Sequence, residues 1–446
     1  MNPDPGFADD ILGKALKSGA DQAEVFYKSY RNIAVEIKDQ AVESLSSSFS
    51  SGYCVRVIRN NRLGFSFSTE ISGSDQVIAR AMDACRSVDE DRFHCLPSPS
   101  SPAAVDIFDN AIHDLKEDDA ISLAMRIERA ACNTDSRITK TRKPAASFTV
   151  ADTIIANSLG IRARYRSTAC SAQVTAIAES GNESQTGWDY MGSRFLSDIS
   201  FEDVGRTAAA SALRLLGSRK IQGGKTTVIL DHAVANDFLG VFASSLSSDA
   251  VQKSKSLLAG RLNTQIISPK ISITDSGLLP GRLGSKPLDD EGVATQSKIL
   301  IREGMLSSHL FNTYTARKGN AVSTGNAVRG GHASLPSVGI TNLYLEPASP
   351  ADCIPVQDLF KAVGRGLYVV DAMGIHMVNP ISGDFSIGVS GLWIEQGEVA
   401  FPVKEALISG NLLDFFRKIS AVGDDMKFYG SLGSPSLIIP DIDVSA

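Results

Sequence analysis

The residues of this chain that could do chemistry gather between Gly284 and Asn326. Asp289, Asp290 and Glu291 stand together before Gly292, and Ser323-Thr324-Gly325-Asn326 closes the segment. Carboxylates and amides beside glycines suit a lined groove, where backbone comes close to a ligand. They equally suit an ordinary polar turn. Three adjacent acids could also hold a hard cation, since calcium and magnesium take oxygen ligands, but the regular alternation of a calcium loop is missing. Asp275, Asp289 and Glu291 therefore read as groups that cap turns or bind backbone amides.

The six histidines are His94, His113, His232, His309, His332 and His376. None lies within five residues of another, so no pair can share one helix face as metal ligands. His232 reads as a surface or capping residue at a helix start, and His309 as facing solvent. His376, close to Ser382-Gly383-Asp384, is the histidine with a groove position in reach. The phosphate-loop pattern is absent, and no G-x-S-x-G sits in a strand–turn–helix context.

The elements that must hold these residues mix helices with antiparallel strands. Apolar positions at Phe7, Ile11, Leu12 and Leu16 predict a helix over 7–17. Strands are expected over 21–31 and 32–38, then a hairpin of 52–58 and 62–68 turned at Asn60-Asn61. Ser46 to Ser51 reads as a turn or strand edge. Helices follow over 75–88 and 116–132, strands over 146–156 and 161–177, a mobile polar tip over 182–187, and a helix over 201–216. The second half opens with a strand at 226–230, and Asp231 caps a helix over 233–245. Glu303-Gly304 turns a hairpin between 295–301 and 305–312. Strands over 367–375 and 386–395 and a helix over 412–419 come last. The pattern predicts an α+β fold of two mixed domains with antiparallel sheets and flanking helices. The glycine-rich stretch around residues 216–224 divides it, giving residues 1–220 and a β-rich 221–446.

Bulk properties exclude several classes. The 446 residues carry a net charge of −6, and the densest basic cluster is only Lys140, Arg142 and Lys143. That is poor footing for nucleic-acid binding, which needs a concentrated basic face. The six cysteines show no C-x-x-C spacing, which reads as reduced thiols. No apolar run approaches the ~20 residues that span a bilayer. The first residues lack the basic start and apolar core of a leader, so a cytoplasmic location is expected.

Three blocks also carry a resemblance. The first joins Ala23-Glu24-Val25 to Gly52-Tyr53-Cys54-Val55-Arg56-Val57 and Gly64-Phe65-Ser66; the second is the 284–326 stretch; the third runs from Ser382-Gly383-Asp384-Phe385-Ser386 through Trp393-Ile394-Glu395-Gln396-Gly397 to Gly410-Asn411. In this order the chain resembles the TldD/PmbA family, on its PmbA (TldE) side. The resemblance implies one half of a heterodimeric metallopeptidase acting on unfolded peptides, with a link to DNA gyrase modulation that reads as indirect. The TldD branch carries H-E-x-x-x-H on a helix and a cysteine ligand near the C-terminus. The matching helix here reads Gly240-Val241-Phe242-Ala243-Ser244-Ser245, and no cysteine follows Cys353. The implied chain has no catalytic residues and no metal of its own, with zinc expected only in a TldD-type partner. Its implied role is to line a peptide channel, through Asp289, Glu291, Asn326, His376, Ser382 and Asp384. Two alternatives stand beside it. One is a homodimeric module that binds extended peptides. The other is a peptidase with an unrecognised site, built on His376 with Asp384 or on Asp289 with Glu291.

Overall fold

The computed structural model describes residue 4 and residues 6–445. The leader expectation begins in residues 1–3 and 5, outside the described residues. The first half is built on one antiparallel sheet of six long strands: β1 (Gln22–Lys38), β2 (Ala41–Arg59), β3 (Arg62–Ser68), β4 (Ile138–Asn157), β5 (Arg162–Ser180) and β6 (Glu183–Ser193), in the order β3-β2-β1-β4-β5-β6. The two strands expected over 21–38 are thus one. β1 turns into β2 at Asp39-Gln40 with φ of 53° and 57°, and β2 into β3 at Asn60-Asn61 with φ of 50° and 58°. Both central residues at positive φ make the two-residue turn whose twist matches the strands it joins. Asn-Asn advertises that turn in the sequence, whereas Asp-Gln does not.

Side chains alternate faces along a strand, and β1 uses the rule strictly. Its odd positions Ala23, Val25, Tyr27, Ile33, Val35 and Ile37 are buried under helices. Helices α1 (Phe7–Lys17) and α2 (Ser74–Arg86) cover one stretch of this face. After the short α3 (Asn110–Asp114), helices α4 (Glu117–Cys132) and α5 (Phe201–Leu213) cover the other. The even positions Glu24, Phe26 and Lys28 face the opposite way, toward the second half of the chain.

Pairing decides two expectations here. Of the two readings of Ser46 to Ser51, turn or strand edge, the strand holds, because β1 supplies its hydrogen-bond partners from Ala34 to Ser29 while β3 pairs only from Tyr53 onward. The polar segment over 182–187 is not a mobile tip, because β6 pairs with β5 and lies under α5. Gly187 permits that contact: a Cβ there would lie 2.3 Å from the Ala208 carbonyl and 2.3 Å from the Ala212 nitrogen. Gly187→Ala must push α5 off the sheet and is expected to lose about 1–3 kcal/mol. Gly13→Ala, in α1 with open space at its Cβ, should gain about 0.5–1 kcal/mol. Urea midpoints of the two variants check the contrast.

The second half holds a six-stranded sheet in the order Met305–Leu306, Ser297–Arg302, Ile271–Ser276, Leu343–Pro347, Leu432–Ser434, Lys427–Tyr429, and a seven-stranded sheet that includes β7 (Gly224–Leu230) and Asp384–Glu395. Between them lies α6 (His232–Ala243), whose Phe238 and Phe242 stack on Phe415 and Phe416 at 4.9 and 5.1 Å. The strand Glu398–Asn411 was not legible beforehand. Pro402 and a left-handed Glu405 (φ 56°) interrupt its pattern; a register shift takes up Glu405, and Pro402 pairs with Leu392 in the short run between two such shifts. Proline is tolerated in a sheet at such irregular positions. The architecture is the expected α+β arrangement of antiparallel sheets with flanking helices.

Candidate functional site

The segment 286–293 is wound around the carboxylate of Asp289. Its Oδ1 accepts from the nitrogens of Glu291 (2.9 Å) and Val293 (3.0 Å), and its Oδ2 from the nitrogen of Ala327 (2.9 Å). Burial, then the neighbouring Glu291 carboxylate, push its pKa up. Asp290 takes Lys286 at 2.8 Å and the Arg329 nitrogen at 2.8 Å. Burial, the largest influence, would raise Asp290, but Lys286, Lys28 and the Arg329 nitrogen together outweigh it and the net direction is down.

Glu291 reaches across to the first sheet. It accepts from Arg56 Nη1 at 2.8 Å and from the Thr313 nitrogen at 2.9 Å. Arg56 also donates to both oxygens of Glu24, from Nε at 3.1 Å and Nη2 at 2.6 Å. Arg329 donates to Glu24 as well, and its guanidinium lies 4.9 Å over the ring of Phe26. Glu24 and Glu291 are 0% exposed, and Arg56 is 5% exposed. Two carboxylates and two guanidiniums thus form a closed, charge-balanced brace between the halves. Such a group persists in the interior only when every charge is paired and hydrogen-bonded.

The six expected lining residues fall into two groups. Asp289, Glu291 and Asn326 come together, but each is 0% exposed. Asn326 donates to Asp275 (2.8 Å) and to the Gly339 carbonyl (2.9 Å), and accepts from Thr324 Oγ1 (2.7 Å). Their polar atoms are spent inside the fold, as the reading of amide-binding acids anticipates, and none presents a surface to a peptide. His376, Ser382 and Asp384 are exposed and belong to the other region. Asp384 and the Ser382 carbonyl accept from Asn411 Nδ2 at 3.0 and 2.8 Å. The Asn411 bond, then the Ser382 bond, hold the Asp384 carboxyl below its usual range. Among the described residues no hydrogen bond or ion pair joins His376 to Asp384. His309, expected to face solvent, is 7% exposed, and its Nδ1 has no partner. His232 is half-buried at the start of α6, where the cap is Asp231, accepting from the Ala233 nitrogen at 3.0 Å.

Zinc catalysis needs about three protein ligands, an open position and a base. At the helix positions that the resemblance aligns with those ligands stand Gly240, Val241 and Ser245. None offers an imidazole, carboxylate or thiolate. A Cβ at Gly240 would meet Leu432 Cδ1 at 3.1 Å, Val241 packs on the core, and Ser245 is 1% exposed. Among the described residues no three His, Cys, Asp or Glu side chains converge in a metal-ligating group. The donor set does not fit the metal that the TldD branch carries. Nor is any helix of the described residues long and apolar enough to cross a membrane.

A cleft of about 410 Å³ opens beside the N-terminus of α6. Asp189, Asp237, Asp371, His232 and Tyr429 are among its walls. Trp188 stacks on Tyr429 at 5.6 Å while remaining 46% exposed. Acids beside a partly bare aromatic pair could hold a basic or apolar side chain.

The site and the sheets therefore define an α+β fold of large, mainly antiparallel sheets braced by buried charges, whose central helix carries Gly240 and Val241 in its last turn. Family models for the PmbA/TldA metallopeptidase match this chain as domain 1 over residues 23–85, the central domain over 110–216 and the C-terminal domain over 223–446. A metalloprotease PmbA from Escherichia coli O157:H7 is 30% identical over 444 residues, covering 96% of this chain and 94% of its own. A crystal structure from Thermotoga maritima, described as a candidate modulator of a DNA gyrase, superposes with a TM-score of 0.90 at 27% identity, covering 98% of this chain and 99% of that one. TldE from Thermococcus kodakarensis shares the fold, with a TM-score of 0.89 at 20% identity over 98% of this chain and 99% of that one. The chain belongs to the PmbA/TldD family, on its PmbA (TldE) side.

Proposed function

We propose that this chain is the non-catalytic subunit of a TldD/TldE-type heterodimeric metallopeptidase that acts on unfolded peptides. One observation carries the reading: the family fold runs from end to end, while Gly240, Val241 and Ser245 occupy the positions where the TldD branch holds its motif. The chain's partner is a TldD-type subunit carrying the zinc, and the complex works in the cytoplasm without nucleic acid or membrane. A link to DNA gyrase, in this reading, passes through proteolysis.

The surface offers a place to grip extended chains. β3 pairs with β2 only from Tyr53 onward, so Ala41 to Phe49 is a sheet edge, exposed along its whole length. Val42, Leu45 and Phe49 stand out from it at 40, 41 and 57% exposure. A bare strand edge invites pairing with another chain. The same edge favours the second reading, a homodimer that binds extended peptides when no TldD-type subunit is present.

The test mixes the purified chain with a TldD-type subunit and follows cleavage of an unstructured peptide. Alone, this chain is expected to cleave nothing and to hold no stoichiometric zinc by elemental analysis. With the partner, cleavage should rise by at least tenfold over the partner alone. Chelator-sensitive cleavage by this chain in isolation would sink the proposal.

A further inference from the structure

The even-numbered face of β1 meets the second half around a cavity of about 380 Å³. That lies within the roughly 300–1,000 Å³ of ordinary ligand pockets. Four cations line it, Lys28, Arg194, Lys286 and Arg329, against one carboxylate, Asp290. Lys286 is paired with Asp290, and Arg329 with Glu24. Among the described residues the other two cations form no ion pair. The Lys28 ammonium makes no hydrogen bond there, and it feels the Asp290 carboxylate only through space. Arg194 donates only to the carbonyls of Thr168 (2.9 Å), Leu283 and Ser285 (3.0 Å), and its buried Nε has no partner.

A cation taken out of water without a counter-ion is costly, so a fold keeps one for a reason or relieves it. Burial lowers the pKa of Lys28, against the pull of Asp290 and with the push of Lys286 and Arg194. Arg194, lowered by burial to about 10, stays charged at neutral pH. The cavity wall also carries Thr153 and Tyr165, whose hydroxyls are hydrogen-bonded to each other. A compact two-oxygen anion fits this set. A lysine and an arginine fork with unspent donors give charge-assisted bonds, the strong kind.

We propose that this cavity is an anion-binding site that takes the carboxylate of a peptide, its C-terminal group or an acidic side chain. The choice of a peptide as the source rests on the functional reading above; the anion chemistry does not. Lys28 and Arg194 bind the carboxylate. In this arrangement the subunit holds one end of an extended chain by charge and leaves the rest of its sequence free.

The full-length chain is titrated by calorimetry with an unstructured Ala/Gly tetrapeptide, first as the free acid and then as the C-terminal amide, and separately with inorganic phosphate at matched ionic strength. The free acid should bind at least tenfold more tightly than the amide. Lys28→Met should erase that preference and Lys28→Arg should keep most of it. Without ligand, Lys28→Met should melt at or above the parent temperature, since it removes a half-buried charge that has no hydrogen-bond partner among the described residues. Equal binding of acid and amide, or none of either, overturns the proposal. So does a loss of melting temperature in Lys28→Met, which would place an internal partner on the lysine. Phosphate binding that Lys28→Met abolishes, without any acid-over-amide preference, overturns the peptide source and leaves a free-phosphate pocket. None of these outcomes depends on whether the mixed subunits cleave peptide.

Discussion

Arg56→Met is expected to destabilise the chain by about 3–5 kcal/mol, the cost of breaking a buried ion pair by removing one partner. Arg56 is 5% exposed and bridges Glu24 and Glu291, both 0% exposed. Methionine fills the space but leaves two carboxylates facing one another, with Arg329 able to serve only Glu24. Adding Glu291→Gln removes one of the stranded charges. The double variant should therefore recover part of the loss, a non-additivity expected of groups in direct contact. The exposed pair Lys38–Glu43, at 3.4 Å with 63% and 45% of the side chains open to water, is the control. Lys38→Met should move stability by no more than about 1 kcal/mol. Urea unfolding of the four proteins makes the comparison. A loss below 1 kcal/mol in Arg56→Met would mean that the brace does not hold the halves together.

The second large effect is expected at Asp275, on the strand Ile271–Ser276. Its carboxylate is 0% exposed and meets four donors: the Thr341 nitrogen (2.7 Å), Thr341 Oγ1 (2.8 Å), Asn326 Nδ2 (2.8 Å) and Lys298 Nζ (3.1 Å). Asp275→Ala leaves the Thr341 nitrogen and hydroxyl without an acceptor, leaves Asn326 Nδ2 only the Gly339 carbonyl, and leaves Lys298, 11% exposed, without its anion. The loss should reach about 3–5 kcal/mol. Asp275→Asn keeps one acceptor oxygen but turns an amide toward existing donors, so about half that loss is expected. Hydrogen exchange at Asn326 and Thr341, followed with the melting temperature, reports whether the 323–326 segment lets go before the rest of the sheet. Uniform exchange across the second half would show that Asp275 supports no local unit.

Much of the fold was legible because its signals are local. The stripe of α1 gave its bounds, Phe7–Lys17, without error, and Asn60-Asn61 and Glu303-Gly304 both turn hairpins at positive φ. What was not legible depended on partners elsewhere. The serines of β2 carry no strand signature of their own; β1 makes them a strand. The hidden strand at Glu398–Asn411 is held by the neighbouring strand, which pairs Leu392 with Pro402 and takes up Glu405 in a register shift. The candidate site followed the same division. Asp289 and Asp275 were read as acids that bind backbone amides, which a polar run beside glycine suggests. Lys28 and Arg194 were missed altogether. Glu24 and Arg56 had left a trace, each a lone charge inside an apolar run, Ala23-Glu24-Val25 and Val55-Arg56-Val57. A buried charge of that kind must have a partner.

By itself, then, the sequence determined the longer helices, the tight turns, the family blocks and the identities Gly240, Val241 and Ser245 along the helix after β7, because backbone preference, periodicity and side-chain identity act within a few residues. Only the tertiary structure decided what the charges are for. Arg56 meets Glu291 across 235 positions and Arg329 meets Glu24 across 305. Whether a carboxylate there closes a brace or faces a ligand depends on which sheet face it lands against. The same packing buries Asn326, bares His376 and strands two cations in one cavity. Burial and pairing at such range are properties of the assembled faces, and no short window of residues contains them.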